Sequence, residues 1–525
     1  MKRTLALFII SGLAGALMAQ DVGMRQADVL PVWGDQGNGT YVNPILNADY
    51  SDPDVIRVGD KYYMVASDFH FLGMQVLESD DMVNWRLLSQ VYSRFDYPGW
   101  DSNQRYAGGS WAPSIRFHDG KFWIFFCTPH EGLFMTNATD PAGPWTPLVN
   151  VCNVPKWEDP CPFWDEDGQA YLGRSIHGAG PIIIHKMSAD GTKLLDEGRT
   201  VYTGPVAEGT KIHKWNGYYY LSIPEGGVQG GWQTILRSKN IYGPYEKKVV
   251  LEQGSTSING PHQGAIVDTP QGEWFFYHFQ QYDPLGRVVH LQPMHWKDGW
   301  PVIGVDMDMN GIGEPVRVWT KPKTGKVQPP SVPQTDDAFS SPELSLQWQF
   351  NHNPADGAWS LTEKKGTLTL HALQADDFLS ARNTLTQKTM GYLGEATVKM
   401  LAGGLAEGQR CGLACIGKRN VLVGLMKRQG KVFLYLEKNG EVVQTLPFGG
   451  RTVYFRMTAD AAANRYALAY SADGKSFRQM GDSFTMQFGN WKGVRVGLYC
   501  YNTEKSEGTV GFDDFVYRHD GPQSE

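Results

Sequence analysis

Five segments of the chain repeat one alternation of polar and apolar positions: a polar or aromatic residue, a short apolar strand, a turn glycine, then an aromatic-rich strand. The copies are residues 52–67 (DPDVIRVGDKYYMVAS), 111–128 (WAPSIRFHDGKFWIFFCT), 159–175 (DPCPFWDEDGQAYLGRS), 208–225 (EGTKIHKWNGYYYLSIPE) and 262–279 (HQGAIVDTPQGEWFFYHF). Their turn glycines, Gly59, Gly120, Gly168, Gly217 and Gly272, are spaced by 61, 48, 49 and 55 residues. Glycine supplies the positive φ of a tight turn, and the flanking Tyr, Phe, Trp, Val and Ile favour strands, so each copy predicts a β-hairpin. A hairpin alone cannot bury its apolar faces. About 50 residues per unit hold four strands, which is one propeller blade, whereas a solenoid needs shorter repeats. The expected fold is all-β, with a five-bladed β-propeller over residues 41–320.

Residues 321–336 are a Pro-rich linker of the kind that separates domains. Alternating strands then resume, as in 432–436, 452–456 and 494–501, with turn dipeptides at Asn439-Gly440 and Asp473-Gly474. Frequent turn signals and scarce helical periodicity predict a β-sandwich over residues 337–525. At the other end, Lys2 and Arg3 precede an apolar run and small residues ending at Ala19, the pattern of a signal peptide over 1–19, followed by an N-terminal segment over 20–40. Ser11, Gly12 and Gly15 interrupt the run, and a membrane span needs about 18 to 20 unbroken apolar residues. The chain is therefore expected to be exported, periplasmic or secreted, without membrane insertion.

Composition narrows the partner. The 48 Lys and Arg against 55 Asp and Glu give a net charge of −7 with no basic cluster, which argues against a nucleic-acid surface. Six Cys without CxxC pairs or nearby His carry no zinc signature, and which of them would form a disulfide is unreadable. Nothing in the pattern fixes an oligomeric state.

Counting back from each turn glycine to the first residue of each copy gives 7, 9, 9, 9 and 10 positions, so Asp52, Trp111, Asp159, Glu208 and His262 occupy nearly equivalent places. In a propeller such places converge on the central axis. Three carboxylates around one mouth are costly to desolvate and perturb one another's pKa, which reads as a site. An isolated Asp-Pro aspartate more often caps a backbone N–H, but three acids in one register reverse that preference. Trp111 alone would be core packing; at this position its flat face suits a sugar ring. His262 fits the funnel floor, a hydrated axial ion or a satisfied polar core.

At these residues the sequence resembles family 43 of the glycoside hydrolases, five-bladed propeller enzymes that include α-L-arabinofuranosidases and β-xylosidases. The resemblance rests on Asn43-Pro44-Ile45-Leu46 before Ser51-Asp52-Pro53-Asp54, on Gly109-Ser110-Trp111-Ala112-Pro113, on Glu158-Asp159-Pro160, on Ala207-Glu208-Gly209-Thr210, and on Gly286-Arg287 running into Leu291-Gln292-Pro293 and Asp298-Gly299-Trp300-Pro301. It implies a general base at Asp52, a pKa modulator and orienter at Asp159, a general acid at Glu208, a sugar-binding arginine at Arg287 and an axial histidine at His262. No cofactor is implied as a requirement; a structural calcium, held by His262 through water, has a place. Asp54 and Thr210 depart from the family's commoner Ser and Pro and are expected to alter the pocket. The second domain resembles the jelly-roll, concanavalin A-like appendage of the family's exo-enzymes, and with no aromatic triplet on one strand face it is expected to act as buttress or pocket wall.

Asp52 and Glu208 sit on repeats that are not neighbours around a five-membered ring, which favours the wide, inverting separation of about 6.5 to 9.5 Å over the retaining one of about 5 to 5.5 Å. The expected activity is exo-acting, inverting release of terminal α-L-arabinofuranose from plant hemicellulose oligosaccharides. A β-1,4-xylosidase is the alternative, and a non-catalytic sugar-binding propeller is disfavoured by the intact set of three acids.

Overall fold

The computed structural model describes residues 32–101 and 105–522. The expected signal segment and residues 20–31 lie outside them. The described residues contain strands, turns and loops and no helix.

Each hairpin opens an antiparallel sheet of four strands in sequential order. Blade 1 runs from Asp54–Val58 to Arg86–Gln90, blade 2 from Trp111–His118 to Val149–Cys152, blade 3 from Trp157–Trp164 to Arg199–Tyr202, blade 4 from Lys211–Trp215 to Glu246–Leu251 and blade 5 from His262–Asp268 to Trp300–Ile303. At the turn of blade 2, Asp119 and Gly120 both have positive φ, 48° and 70°. Two left-handed residues make the hairpin turn whose twist matches the strands it joins.

Apolar side chains fill the wedges between blades. Ile115, Ile124 and Phe134 of blade 2 meet Val65 and Val76 of blade 1, and Ile212 and Leu221 of blade 4 meet Ile182 and Ile184 of blade 3. The ring closes between blades 5 and 1, where Arg57 donates to both oxygens of Asp268 (3.0 and 2.7 Å) and Tyr277 Oη donates to Met82 O (2.8 Å). Thr40–Val42 pairs with Val318–Thr320, so the two ends of the propeller segment are sewn together.

Charge is buried at the hub. Asp54, 1 % exposed, accepts from Arg116 Nη1 (2.6 Å) and the Ile115 N–H (2.8 Å), and lies 3.8 Å from Lys211 Nζ, itself 1 % exposed. This carboxylate joins blades 1, 2 and 4. Removing one partner of a buried pair strands the other charge, so Asp54→Ala is expected to cost about 3–5 kcal/mol. Thermal and denaturant unfolding would check this, and a wild-type melting temperature would reject it.

The second domain stacks two antiparallel-rich sheets, one running from Gln349–Phe350 through Arg495–Asn502 to Glu441–Pro447, the other from Trp359–Ser360 through Thr509–His519 to Arg478–Phe484. Its core is continuous with the apolar packing of blades 1 and 5: Met64, Leu77 and Tyr277 belong to the same buried cluster as Trp348, Leu413, Phe455 and Phe512. Polar ties reinforce the seam. Asp68 accepts from Gln349 Nε2 (2.6 Å) and lies near Lys388 and Arg495, at 3.6 and 3.9 Å.

Candidate active site

One backbone feature recurs at the top of every innermost strand. Asp52, Ala112, Asp159, Gly209 and Gln263 all have positive φ, between 37° and 59°. In blades 2, 3 and 5 the strand pairing slips at this point, between Trp111 and Ser114, Glu158 and Cys161, and His262 and Gly264. A bulge with a left-handed residue re-aims the side chains beside it. The five residues aligned by counting from the turn glycines therefore fall into two adjacent positions: Asp52 and Asp159 are themselves left-handed, whereas Trp111, Glu208 and His262 precede the left-handed residue. By that register the counterparts of Glu208 in blades 1 and 3 are Ser51 and Glu158.

Asp52, 4 % exposed, is held from three sides. Its Oδ2 accepts from Ser67 Oγ (2.6 Å) and Ser51 Oγ (3.1 Å), and its Oδ1 from Arg287 Nη1 (2.9 Å), which also reaches Ser51 Oγ at 2.9 Å. The Arg287 N–H is fixed by Asp49 Oδ1 (2.9 Å). Its guanidinium lies over Phe279, Trp491 and Phe69 at 4.7, 5.4 and 5.8 Å.

Asp159 is tied just as closely. Its Oδ2 accepts from Ser175 Oγ (2.6 Å) and the Gly209 N–H (2.8 Å), and its Oδ1 from Gln263 Nε2 (3.2 Å). The Gly209 bond fastens the residue after Glu208 to Asp159, so blade 3 orients blade 4. Glu208 carries no such clamp on its carboxyl. Its pKa is pushed up to about 8, by burial first and by the charge of Asp159 second, against the opposing pull of Arg287. Burial also raises Asp159.

A fourth acid, missed in the sequence, joins them. Carboxylate oxygens of Glu158, Asp159 and Glu208 lie within 4.8 Å of one another, a group that does not include Asp52. Glu158 is 6 % exposed, and its pKa is raised to about 9 by burial and then by Asp159 and Glu208. Strand alternation places neighbours in sequence on opposite faces, so Glu158 looks outward until the bulge is known.

Trp111, 8 % exposed, stands at the rim with Nε1 donating to Ala107 O (3.0 Å). Its ring meets His177, Phe69 and Trp491 at 4.8, 5.5 and 5.9 Å. Trp491 comes from the second domain, is 38 % exposed and has a φ of 63°. The segment that carries it is anchored by Asn490 O on His70 Nε2 and by the Gly493 N–H on Asp49 Oδ2 (2.9 Å). A Cβ at Gly493 would sit 1.8 Å from Leu285 O, so only glycine lets the segment approach. His262 is fully buried beside the Gly227 backbone, and burial, then the charge of Arg287, holds its pKa down to about 4. Thr210 is also fully buried, with its Oγ1 unpartnered.

Residues 41–301 match the model of glycosyl hydrolases family 43, and residues 336–518 match that of the β-xylosidase C-terminal concanavalin A-like domain. A Xylanibacter ruminicola protein named as a β-xylosidase is 59 % identical over 90 % of this chain and 88 % of its own length. The chain belongs to glycosyl hydrolase family 43. A β-xylosidase of Formosa agariphila is 38 % identical over 94 % of this chain and 92 % of its own. The non-reducing end α-L-arabinofuranosidase of Bacteroides ovatus is 28 % identical over 91 % and 95 %. Among solved structures, a family 43 protein of Bacillus licheniformis superposes with a TM-score of 0.80 at 25 % identity, covering 91 % of this chain and 99 % of that one. A bifunctional GH43-CE protein of Bacteroides eggerthii gives 0.82 at 29 % identity; it covers 93 % of this chain, which spans 64 % of that longer protein. This family 43 enzyme is a glycoside hydrolase. The sequence reading set arabinofuranoside ahead of xyloside, and the names of the more similar relatives reverse that order.

Proposed function

We propose that this family 43 hydrolase is an exo-acting, inverting β-xylosidase that removes terminal xylose from hemicellulose oligosaccharides. The observation that supports the mechanism is the different setting of the acids: Asp52 is the ionic partner of Arg287, whereas Glu208 sits with Asp159 and Glu158. In this reading Asp52 draws a proton from water, which attacks the anomeric carbon. Glu208 gives its proton to the departing oxygen, and Asp159 orients it and keeps it protonated. Inversion calls for a gap of about 6.5 to 9.5 Å between base and acid, room for that water. Arg287 and Trp111 bind the terminal sugar, and the Trp491 segment closes the pocket on the side of the second domain. The names of the relatives support xyloside over arabinofuranoside, and the Bacteroides ovatus relative keeps the latter as the second reading.

Parallel assays on aryl β-D-xyloside and aryl α-L-arabinofuranoside, with NMR of the first-formed sugar, test both parts. Faster xyloside turnover with α-xylose as initial product is expected. Dominant arabinofuranoside turnover would reject the sugar, and β-xylose would reject inversion.

The pH dependence follows from the acid. Glu208 works only while protonated and its carboxyl is raised to about 8, so kcat/KM should hold through neutrality and fall as pH rises through about 8. An alkaline limb near pH 5, the range of an unperturbed carboxyl, would remove Glu208 from the role.

The buried imidazole of His262 suits ordered water or the water shell of a calcium ion on the axis, which would brace the floor of the pocket. Export by the N-terminal segment belongs to the same proposal, since polymeric hemicellulose lies outside the cell.

A further inference from the structure

The role of Glu158 is left open by the three-acid mechanism. It occupies the same place before the left-handed residue as Glu208, Trp111 and His262, all of which face the axial space. Its carboxylate reaches within 4.8 Å of those of Asp159 and Glu208. The Glu158 carboxyl takes a hydrogen bond from the Ala179 backbone, but its Oε1 is buried without a partner, and Oε2 stands 3.9 Å from His177 Nδ1, beyond bonding distance. His177 is 40 % exposed and lies against the Trp111 ring, so Glu158 stands between the acid and a side chain open to solvent. The acid hands its proton to the leaving oxygen, so the sugar beyond that oxygen departs on the acid's side.

We propose that Glu158 binds the departing sugar through a hydrogen bond between its carboxyl and one of that sugar's hydroxyls, with His177 and Trp111 as the wall beside it. Buried polar atoms in folded proteins are nearly always paired, and a site that leaves one open is completed by its ligand. A neutral carboxyl is both donor and acceptor, which suits a hydroxyl better than a carboxylate does. Held uncharged beside Glu208, it also adds no second negative charge to the acid. The inference rests on the glycosidase reading and deepens it: the enzyme would distinguish a saccharide leaving group from an aryl one.

The experiment compares xylobiose with 4-nitrophenyl β-D-xyloside, which lacks the departing sugar, for the wild type, Glu158→Leu and Glu158→Gln. Leucine should raise KM for xylobiose about tenfold, the value of one neutral hydrogen bond, and leave the aryl substrate within about twofold. Glutamine retains a donor and an acceptor and should stay near the wild type on both substrates. The alkaline limb should not move in either variant, and the melting temperature of the leucine variant should equal or exceed that of the wild type. Equal losses on both substrates, or a shifted limb, would show instead that Glu158 acts through Glu208 or the terminal sugar, and unchanged xylobiose kinetics would show no contact at all; each result overturns the proposal. If leucine fails to fold, Glu158→Ala takes its place: a loss on xylobiose alone would uphold contact with the departing sugar, and parallel changes on both substrates would overturn it. A wild type inactive on both substrates would reject the xylosidase reading itself.

Discussion

Glu208→Ala is expected to lower kcat on xylobiose by about 10²–10⁴-fold, the contribution of one positioned general acid. The loss should depend on the leaving group. An aryl xyloside whose phenol is strongly acidic departs without a proton, so it should keep most of its rate, and the alkaline limb near pH 8 should vanish with the carboxyl that produces it. The fold should survive, because no hydrogen bond of the protein ends on the Glu208 carboxyl among those described, and its peptide N–H still reaches Pro224 O at 3.2 Å. Losses of equal size on xylobiose and the activated aryl substrate would reject Glu208 as the acid.

For Asp52→Asn the same size of loss, about 10²–10⁴-fold, should appear on every substrate, because activation of water is needed whatever departs. Asparagine keeps the shape of the side chain and an oxygen for Arg287, while its amide nitrogen faces the Ser67 and Ser51 hydroxyls, so the main change is the loss of basicity. The two variants form a pair: one defect is relieved by a better leaving group and the other is not. Near wild-type hydrolysis by Asp52→Asn would remove Asp52 as the base.

The propeller was legible because hairpins advertise themselves locally. Turn residues such as Asp119-Gly120 and the strands beside them need no distant information. Asp52, Asp159 and Glu208 were legible because three repeats carried an acid at nearly one distance from the turn. Glu158 was not, because the distance varies from 7 to 10 and only the bulge lets two neighbouring acids both reach Glu208. The positive φ of Asp159 that settles it leaves no mark in composition, since aspartate is common at strand starts for other reasons. Trp491 was hidden differently: it lies 380 residues beyond Trp111, in another domain. The glycines flanking it, Gly489 and Gly493, were the available signal of a tight excursion, and Gly493 proves to be the residue with no room for a side chain. The buried pairing of Asp54 with Arg116 likewise depends on blades meeting at the hub, which no local pattern reports. The choice between xylose and arabinose depends on side-chain placement around one ring and has no periodic signature.

The left-handed residue at the head of each inner strand turns the ring into five interchangeable sockets. The side chain before that residue is an acid in two blades and the Trp111 indole, the His262 imidazole and the Ser51 hydroxyl in the other three. The backbone work is done once, by the scaffold, and repeated five times. Chemistry can then be exchanged between sockets by single substitutions, without insertions and without rebuilding a loop, which makes such a ring a ready substrate for divergence towards new sugars.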